Sequence, residues 1–159
     1  MTNEGLGQDT LVALTNRLYV LDEVERHLKR YRRRRRPFSL LIVDIHNLDW
    51  LDHTFGRAVG NAALGYVADL IDTGVREVDI WYICTRDRFI IVMDETDAEA
   101  AHTVAKRLAV AAEGKRFVLG SYGTTLEMSF STVSCPDDGV EAKALLQAAG
   151  FLSSTIPQS

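Results

Sequence analysis

Cysteine, proline and long apolar runs are what this 159-residue chain is short of: it has two Cys, three Pro, and no stretch approaching the roughly 20 apolar residues that span a bilayer. Cys84 and Cys135 stand alone, which removes both a zinc site built on paired cysteines and a disulfide framework. A reduced, cytoplasmic setting is the expectation, and the opening Met1 to Glu4 reads as no signal peptide. An excess of basic charge is missing as well. Eighteen Lys and Arg against 22 Asp and Glu leave a net charge of -4, which speaks against a general nucleic-acid binder. No internal repeat is present. What remains, 47% hydrophobic and 25% charged, suits one soluble domain with a single core.

The chain is most legible between Arg76 and Met93. Two apolar runs rich in β-branched and aromatic residues, Ile80 to Cys84 and Phe89 to Met93, flank four polar residues, Thr85 to Arg88. That is the pattern of a β-hairpin with a charged tip. Because the runs are nearly continuous, both strands are expected in the middle of a sheet with both faces buried. A tip in which Arg86 and Arg88 flank Asp87 is either a functional loop on a buried scaffold or a solvated loop whose charges keep it soluble.

Elsewhere the periodicities alternate. Residues 1–8 read as a flexible terminus. A helix is predicted from about Thr15 to Arg36, with Leu18, Leu21, Val24, Leu28 and Tyr31 inward and Glu23, Arg26 and Lys29 outward. Its last turn is the run Arg32 to Arg36, closed by Pro37; cations suit the carbonyl end of a helix, and an arginine run is also a candidate contact for RNA or an anionic membrane. Phe38 to Ile45 reads as a buried strand with a single carboxylate, Asp44. A short helical turn stopped by Gly56 follows, then a helix from about Arg57 to Thr73, with Val59, Ala62, Ala63, Val67, Leu70 and Ile71 inward and Gly74 at its end. After the hairpin, residues 96–112 form an alanine-rich helix with Ala100, Val104, Leu108 and Ala111 inward. Residues 116–119 read as a short strand and Thr124 to Ser134 as a longer one, with Leu126, Met128, Phe130 and Thr132 on one face. A turn at Pro136 to Gly139, a helix from Val140 to about Leu152 and a polar tail, 153–159, complete the chain.

This order gives a βαββαβ core, a ferredoxin-like α+β fold with an added N-terminal helix. The first strand and the central hairpin are neighbours in such a topology, which brings Asp44 toward Asp87. Two carboxylates facing each other there would hold a divalent cation. Otherwise each is an ordinary solvated acid at a strand end.

Several segments, taken in order, resemble the GGDEF domain of diguanylate cyclases over roughly residues 9–150, within a single domain expected over 9–152. Asp9 to Arg17 is similar to its opening D-x-L-T-G-L-x-N-R. Asp44 followed by Gly56 and Gly60 resembles the D-x-D…N-D-x-x-G-H-x-x-G-D segment. Thr85-Arg86-Asp87-Arg88-Phe89 falls where the signature G-G-D-E-F belongs, and Pro136 to Gly139 matches the late P-x-D-G turn. The resemblance implies a nucleotide-cyclase-like fold, and it makes the departures informative. Thr85 and Arg86 replace the glycine pair that lets the backbone approach a triphosphate. Arg88 replaces the glutamate beside Asp87, and His46 stands where a second first-strand acid is expected, so magnesium is expected to bind poorly. The guanine-reading Asn and Asp fall, exchanged, on Asp52 and Asn61. The phosphate-holding lysine segment has no counterpart in 149–155. The expectation is a degenerate active site made of Asp44, Asp52, Asn61, Thr85, Arg86, Asp87 and Arg88, with no catalysis, no metal and no cofactor.

One family element is intact. Arg76-Glu-Val-Asp79 lies five residues before Thr85, in the register of the R-x-x-D inhibitory site that binds cyclic di-GMP. Arg76 offers a planar fork for phosphate or for guanine O6 and N7, and Asp79 accepts from guanine N1 and N2. Such a site takes a second arginine, for which Arg107 and Arg86 are the candidates. The implied function is a cyclic di-GMP receptor that relays to an unidentified signalling protein, with a homodimer as a further candidate assembly and neither nucleic acid nor membrane insertion expected. The competing readings are a ligand-independent interaction or scaffold domain, and residual GTP binding through Asp44, Asp52 and Asp87.

Overall fold

The eight residues Phe38–Ile45 alternate side chains to two faces, and almost all are buried. A strand apolar on both faces demands cover on both, and the rest of the chain supplies it. The structure, a computed structural model, describes residues 4–113, 117–119 and 122–151. Its elements are α1 (Glu4–Arg34), β1 (Phe38–Ile45), α2 (Leu48–Phe55), α3 (Arg57–Gly74), β2 (Ile80–Thr85), β3 (Arg88–Met93), α4 (Ala98–Glu113), β4 (Phe117–Leu119), β5 (Tyr122–Thr124), β6 (Met128–Cys135) and α5 (Ala142–Ala148). The main sheet has the order β2-β3-β1-β6, with every pairing antiparallel. This is the expected βαββαβ core, with the small β4–β5 hairpin inserted before the last strand.

Two apolar layers hold the sheet. On one side Leu41, Val43, Phe89 and Ile91 pack against Leu51 of α2, Ala63, Val67 and Ile71 of α3, and Ala101 and Leu108 of α4. On the other, Leu40, Ile42, Ile90 and Val92 meet Val20, Val24 and Leu28 of α1 and Leu145 and Leu146 of α5. Among the described residues no helix is long and apolar enough to cross a membrane.

The structure corrects several expectations. The N-terminal helix runs Glu4–Arg34, starting well before the expected Thr15 and ending before Arg36; once its later turns are docked, extension costs little per residue. Its buried face is Val20, Glu23, Val24, His27 and Leu28, while Leu18 and Leu21 are exposed at 67% and 38%. Glu23, expected outward, is buried and paired with Arg26. β2 is an edge strand, partly exposed along most of its length, because it pairs with β3 alone. The inner face of α3 lacks Ala62, and that of α4 is Ala101, Ala105 and Leu108 rather than Ala100 and Ala111. β6 begins at Met128, not Thr124, since Tyr122–Thr124 pairs with β4 instead. The last helix ends at Ala148, and the expected tail, 153–159, lies outside the described residues.

Candidate functional site

The β2–β3 hairpin closes on two residues, Arg86 and Asp87, with Thr85 and Arg88 already in the strands. Backbone bonds fix the tip against the end of β1: Ile45 N donates to Asp87 O at 2.9 Å. The β1–β3 register sets Asp44 opposite Arg88. On that pairing Arg88 reaches across the strand and forks Asp44, Nε to Oδ1 at 2.7 Å and Nη2 to Oδ2 at 3.2 Å. Its remaining nitrogen, Nη1, donates to the Gly150 carbonyl at 2.8 Å. Gly150 sits just past α5 with φ of 75°, and a Cβ there would stand 3.0 Å from that nitrogen. The hydrogen bond to Asp44 holds the Arg88 guanidinium above its ordinary pKa against the opposing cost of burial. Both oxygens of Asp44 thus face a permanent organic cation. Asp87 lies beside the end of β1 as expected and lines the same cavity as Asp44, but it accepts from its neighbour Thr85 Oγ1 at 2.9 Å while Arg88 takes both oxygens of Asp44. Among the described residues no group of three or more His, Cys, Asp and Glu side chains is gathered to hold a metal ion. His46, the other departure on β1, hydrogen-bonds Ser129 of β6 at 2.8 Å.

The second tip arginine turns the opposite way. Arg86 forks Asp52 of α2, Nε to Oδ2 at 3.0 Å and Nη2 to Oδ1 at 2.7 Å, and Nη1 donates to Asn61 Oδ1 of α3 at 2.7 Å. This approach requires Gly60: a Cβ on it would lie 1.8 Å from Asp52 Oδ1 and 2.7 Å from Arg86 Nη2. One short hairpin therefore satisfies both the single acid of β1 and the Asp52–Asn61 pair with its own guanidinium groups. A cavity of about 380 Å3 remains at this end of the sheet, lined by Arg17, Asp44, His46, Asp87, Arg88 and Phe151 among others. Arg17 lies over the Phe151 ring at 5.4 Å, a cation–π contact. The Cys84 thiol also borders this cavity, and burial pushes it up to about 12, so it offers no thiolate nucleophile near neutrality.

Arg76 and Asp79 sit elsewhere, at the start of β2 on the outer edge of the sheet. Asp79 is buried, its side chain 4% exposed, whereas that of Arg76 is 55% exposed. The carboxylate accepts from Arg76 three times: backbone N at 3.0 Å, Nε at 3.3 Å and Nη2 at 3.0 Å. Arg76 Nη2 also donates to Asp94 O at 2.6 Å and Thr96 Oγ1 at 2.9 Å in the turn after β3. The same turn is tied to α1, since the Asp94 carboxylate meets Arg30 at 2.6 Å and His27 Nε2 at 3.2 Å. Arg107 of α4 reaches the neighbourhood too, donating from Nη2 to Gly74 O at 2.6 Å.

The sequence-predicted residues thus divide into two groups. Asp44 with Arg88, and Asp52 with Asn61 and Arg86, meet at the hairpin tip; Arg76 and Asp79 form a separate centre. Sequence reading missed Asp94, Thr96 and the Gly150 carbonyl, which carry no local signal because their contacts come from segments 18 to 62 residues away. Arg17 was visible only as part of an opening motif.

Comparison with known proteins gives a consistent result. The family described as "Diguanylate cyclase, GGDEF domain" matches residues 7–152. The response regulator PleD of Caulobacter vibrioides is 26% identical over 143 residues, covering 89% of this chain and 32% of the relative, so the chain spans about a third of that protein's length. Among solved structures, the isolated GGDEF domain of PA1120 (TpbB or YfiN) from Pseudomonas aeruginosa aligns with a TM-score of 0.77 at 17% identity, covering 84% of this chain and 78% of that one. The GGDEF domain of DgcB from Caulobacter crescentus, solved in complex with c-di-GMP, aligns with a TM-score of 0.72 at 16% identity over 81% and 77% of the two chains.

Proposed function

The chain belongs to the GGDEF family, and on that premise we propose that it is a signalling domain that does not cyclise GTP but binds cyclic di-GMP at Arg76 and Asp79 and relays that binding to a protein partner. The observation that carries the reading is the contrast between its two arginine centres. At the tip, Arg86 and Arg88 are consumed by internal carboxylates. At the edge, Arg76 is half exposed and aimed by a buried acid.

The chemistry follows from that contrast. A GTP-cyclising site needs carboxylates free for metal and a tip backbone that admits a triphosphate. Here Asp44 is occupied by Arg88, and Arg86 projects a side chain where close approach is required. At the edge centre Asp79, saturated by Arg76, acts as the positioning partner that fixes the guanidinium plane, and Arg76 meets the ligand's phosphate or guanine edge first. Arg107 is the better candidate for the second arginine, because it bonds Gly74 O, two residues before Arg76, while Arg86 is committed to Asp52 and Asn61. The c-di-GMP complex of the DgcB domain supports the ligand class. Magnesium is not expected to take part.

Calorimetric titration of cyclic di-GMP into the wild-type chain, with Arg76→Ala beside it, tests the proposal. Micromolar binding that weakens at least roughly tenfold in the variant is expected, the worth of a lost charged hydrogen-bonding group. No heat with the wild type overturns it.

A second reading has its own observation: the Arg76–Asp79–Thr96 network is complete without any ligand, and Leu18 and Tyr19 are exposed on α1. Both suit a ligand-independent interaction domain. A partner captured equally well by wild type and Arg76→Ala, with cyclic di-GMP absent, would favour it. Residual nucleotide chemistry is separable, since cyclic di-GMP formed from GTP and magnesium and abolished by Asp87→Ala would restore an enzymatic reading.

A further inference from the structure

Eight of the 18 Lys and Arg residues fall between Arg26 and Arg36, a window without a single acid, so the rest of the chain sets ten cations against 22 acids. Part of this concentration has a local cause. Arg32, Arg33 and Arg34 occupy the last turn of α1, where cations meet unpaired carbonyls. That cause does not reach Arg26, Lys29 and Arg30, which with Arg33 and Arg34 line one shared groove of about 300 Å3. Their three- and four-residue spacing makes them a single stripe along the helix. Beyond the helix end, Arg35 has φ of 55°. Glycine caps a helix there at least cost, so arginine adds charge where capping alone favours another residue.

The stripe is only partly neutralised. Arg26 pairs with Asp22 and Glu23, Arg30 with Asp94, and Arg36, beyond the helix, with Glu95. Lys29, Arg33 and Arg34 are exposed and have no ion-pair partner among the described residues. A partner must therefore be anionic, and the surroundings select its form. A long flexible polyanion running past the stripe meets an acidic remainder. A planar surface meets only the face turned toward it, and charges more than a screening length of about 8–10 Å away contribute little. The stripe offers no free aromatic platform for bases, since the Tyr31 ring is half-buried against the core and covered by Arg35 at 5.1 Å. Exposed aliphatic residues lie near: Val78, in the turn before β2, and Ile80, the first residue of β2, flank Asp79, and Arg76 and Arg30 bond the same residue, Asp94. Such side chains suit an acyl boundary better than a phosphodiester backbone.

We propose that the basic face of α1 docks the domain on an anionic lipid leaflet, as a peripheral contact that does not span the bilayer. The contact is electrostatic, strengthened by the nearby aliphatic edge, and it turns the Arg76 side of the molecule toward the leaflet.

Cosedimentation of the whole 159-residue chain with phosphatidylcholine vesicles, with and without phosphatidylglycerol, tests the proposal. Partitioning onto the mixed vesicles, falling as salt rises and absent on neutral ones, is expected. The triple variant Lys29→Gln, Arg33→Gln, Arg34→Gln keeps good helix formers and should weaken binding roughly a hundredfold, given the attraction each cation carries near an anionic leaflet. Far-UV circular dichroism confirms that the variant is folded, and Lys106→Glu on α4 should leave binding unchanged. No partitioning at low salt, equal partitioning onto neutral vesicles, or full retention by the triple variant each overturn the proposal. So does tighter binding to a single-stranded RNA oligomer lost in the same variant, which would make nucleic acid the partner.

Discussion

At the scale of single residues the molecule turns on where its guanidinium groups go. Arg88 and Asp44 are both partly buried, at 29% and 22% exposure. Truncating Arg88→Ala leaves a carboxylate in a half-enclosed site, so a loss of about 1–3 kcal/mol is expected, read as a lower urea midpoint at unchanged slope. Gly60→Ala should split the Arg86–Asp52 fork, because its Cβ falls 1.8 Å from Asp52 Oδ1. Amide exchange at the tip is the readout, and rates that stay at the wild-type value would count against the fork. Cys84 carries a pH prediction. Burial holds its thiol protonated to about 12 against a usual 9.0. The folded state therefore binds the proton more tightly than the unfolded one, so this contribution to stability is intact below about 9 and is lost as pH rises toward 12. Wild type should lose stability along that alkaline limb faster than Cys84→Ala, and Ellman's reagent should react with the thiol only after denaturation.

At the scale of elements, α1 separates what sequence can tell from what it cannot. β1 and the hairpin are legible because their apolar runs are rich in β-branched and aromatic residues and too short for helices. The face of α1 is not, because its leucines and valines form overlapping stripes, and the choice depends on Glu23 and His27 finding partners in Arg26 and Asp94. The two faces make opposite predictions. Leu28→Ala, in the core, should cost about 2–5 kcal/mol. Leu18→Ala, 67% exposed, should stay within about 0.5 kcal/mol. Thermal denaturation of the pair decides between the stripes. The edge position of β2 was hidden for a related reason: a rich apolar run signals a strand but not how many neighbours it has.

At the scale of the whole molecule, family-like segments fell into place together, and the Arg76–Asp79 spacing was legible because its partners are three residues apart. The tip contacts were not, since Arg86 meets Asp52 and Asn61 across 34 and 25 residues, and only the assembled α2–α3–hairpin corner joins them. That corner has a thermodynamic consequence. Ligands stabilise a protein only through sites that are vacant in its folded state, by an amount set by concentration over dissociation constant. In the cleft the Asp44 and Asp52 carboxylates are already paired with the tethered guanidinium groups of Arg88 and Arg86. Raising magnesium and GTP should therefore leave the melting temperature where it is, whereas cyclic di-GMP at a hundred times its dissociation constant should add about 2.7 kcal/mol. On the proposed reading, the hairpin arginines leave the stability of this domain unmoved by magnesium and GTP, and cyclic di-GMP alone raises it.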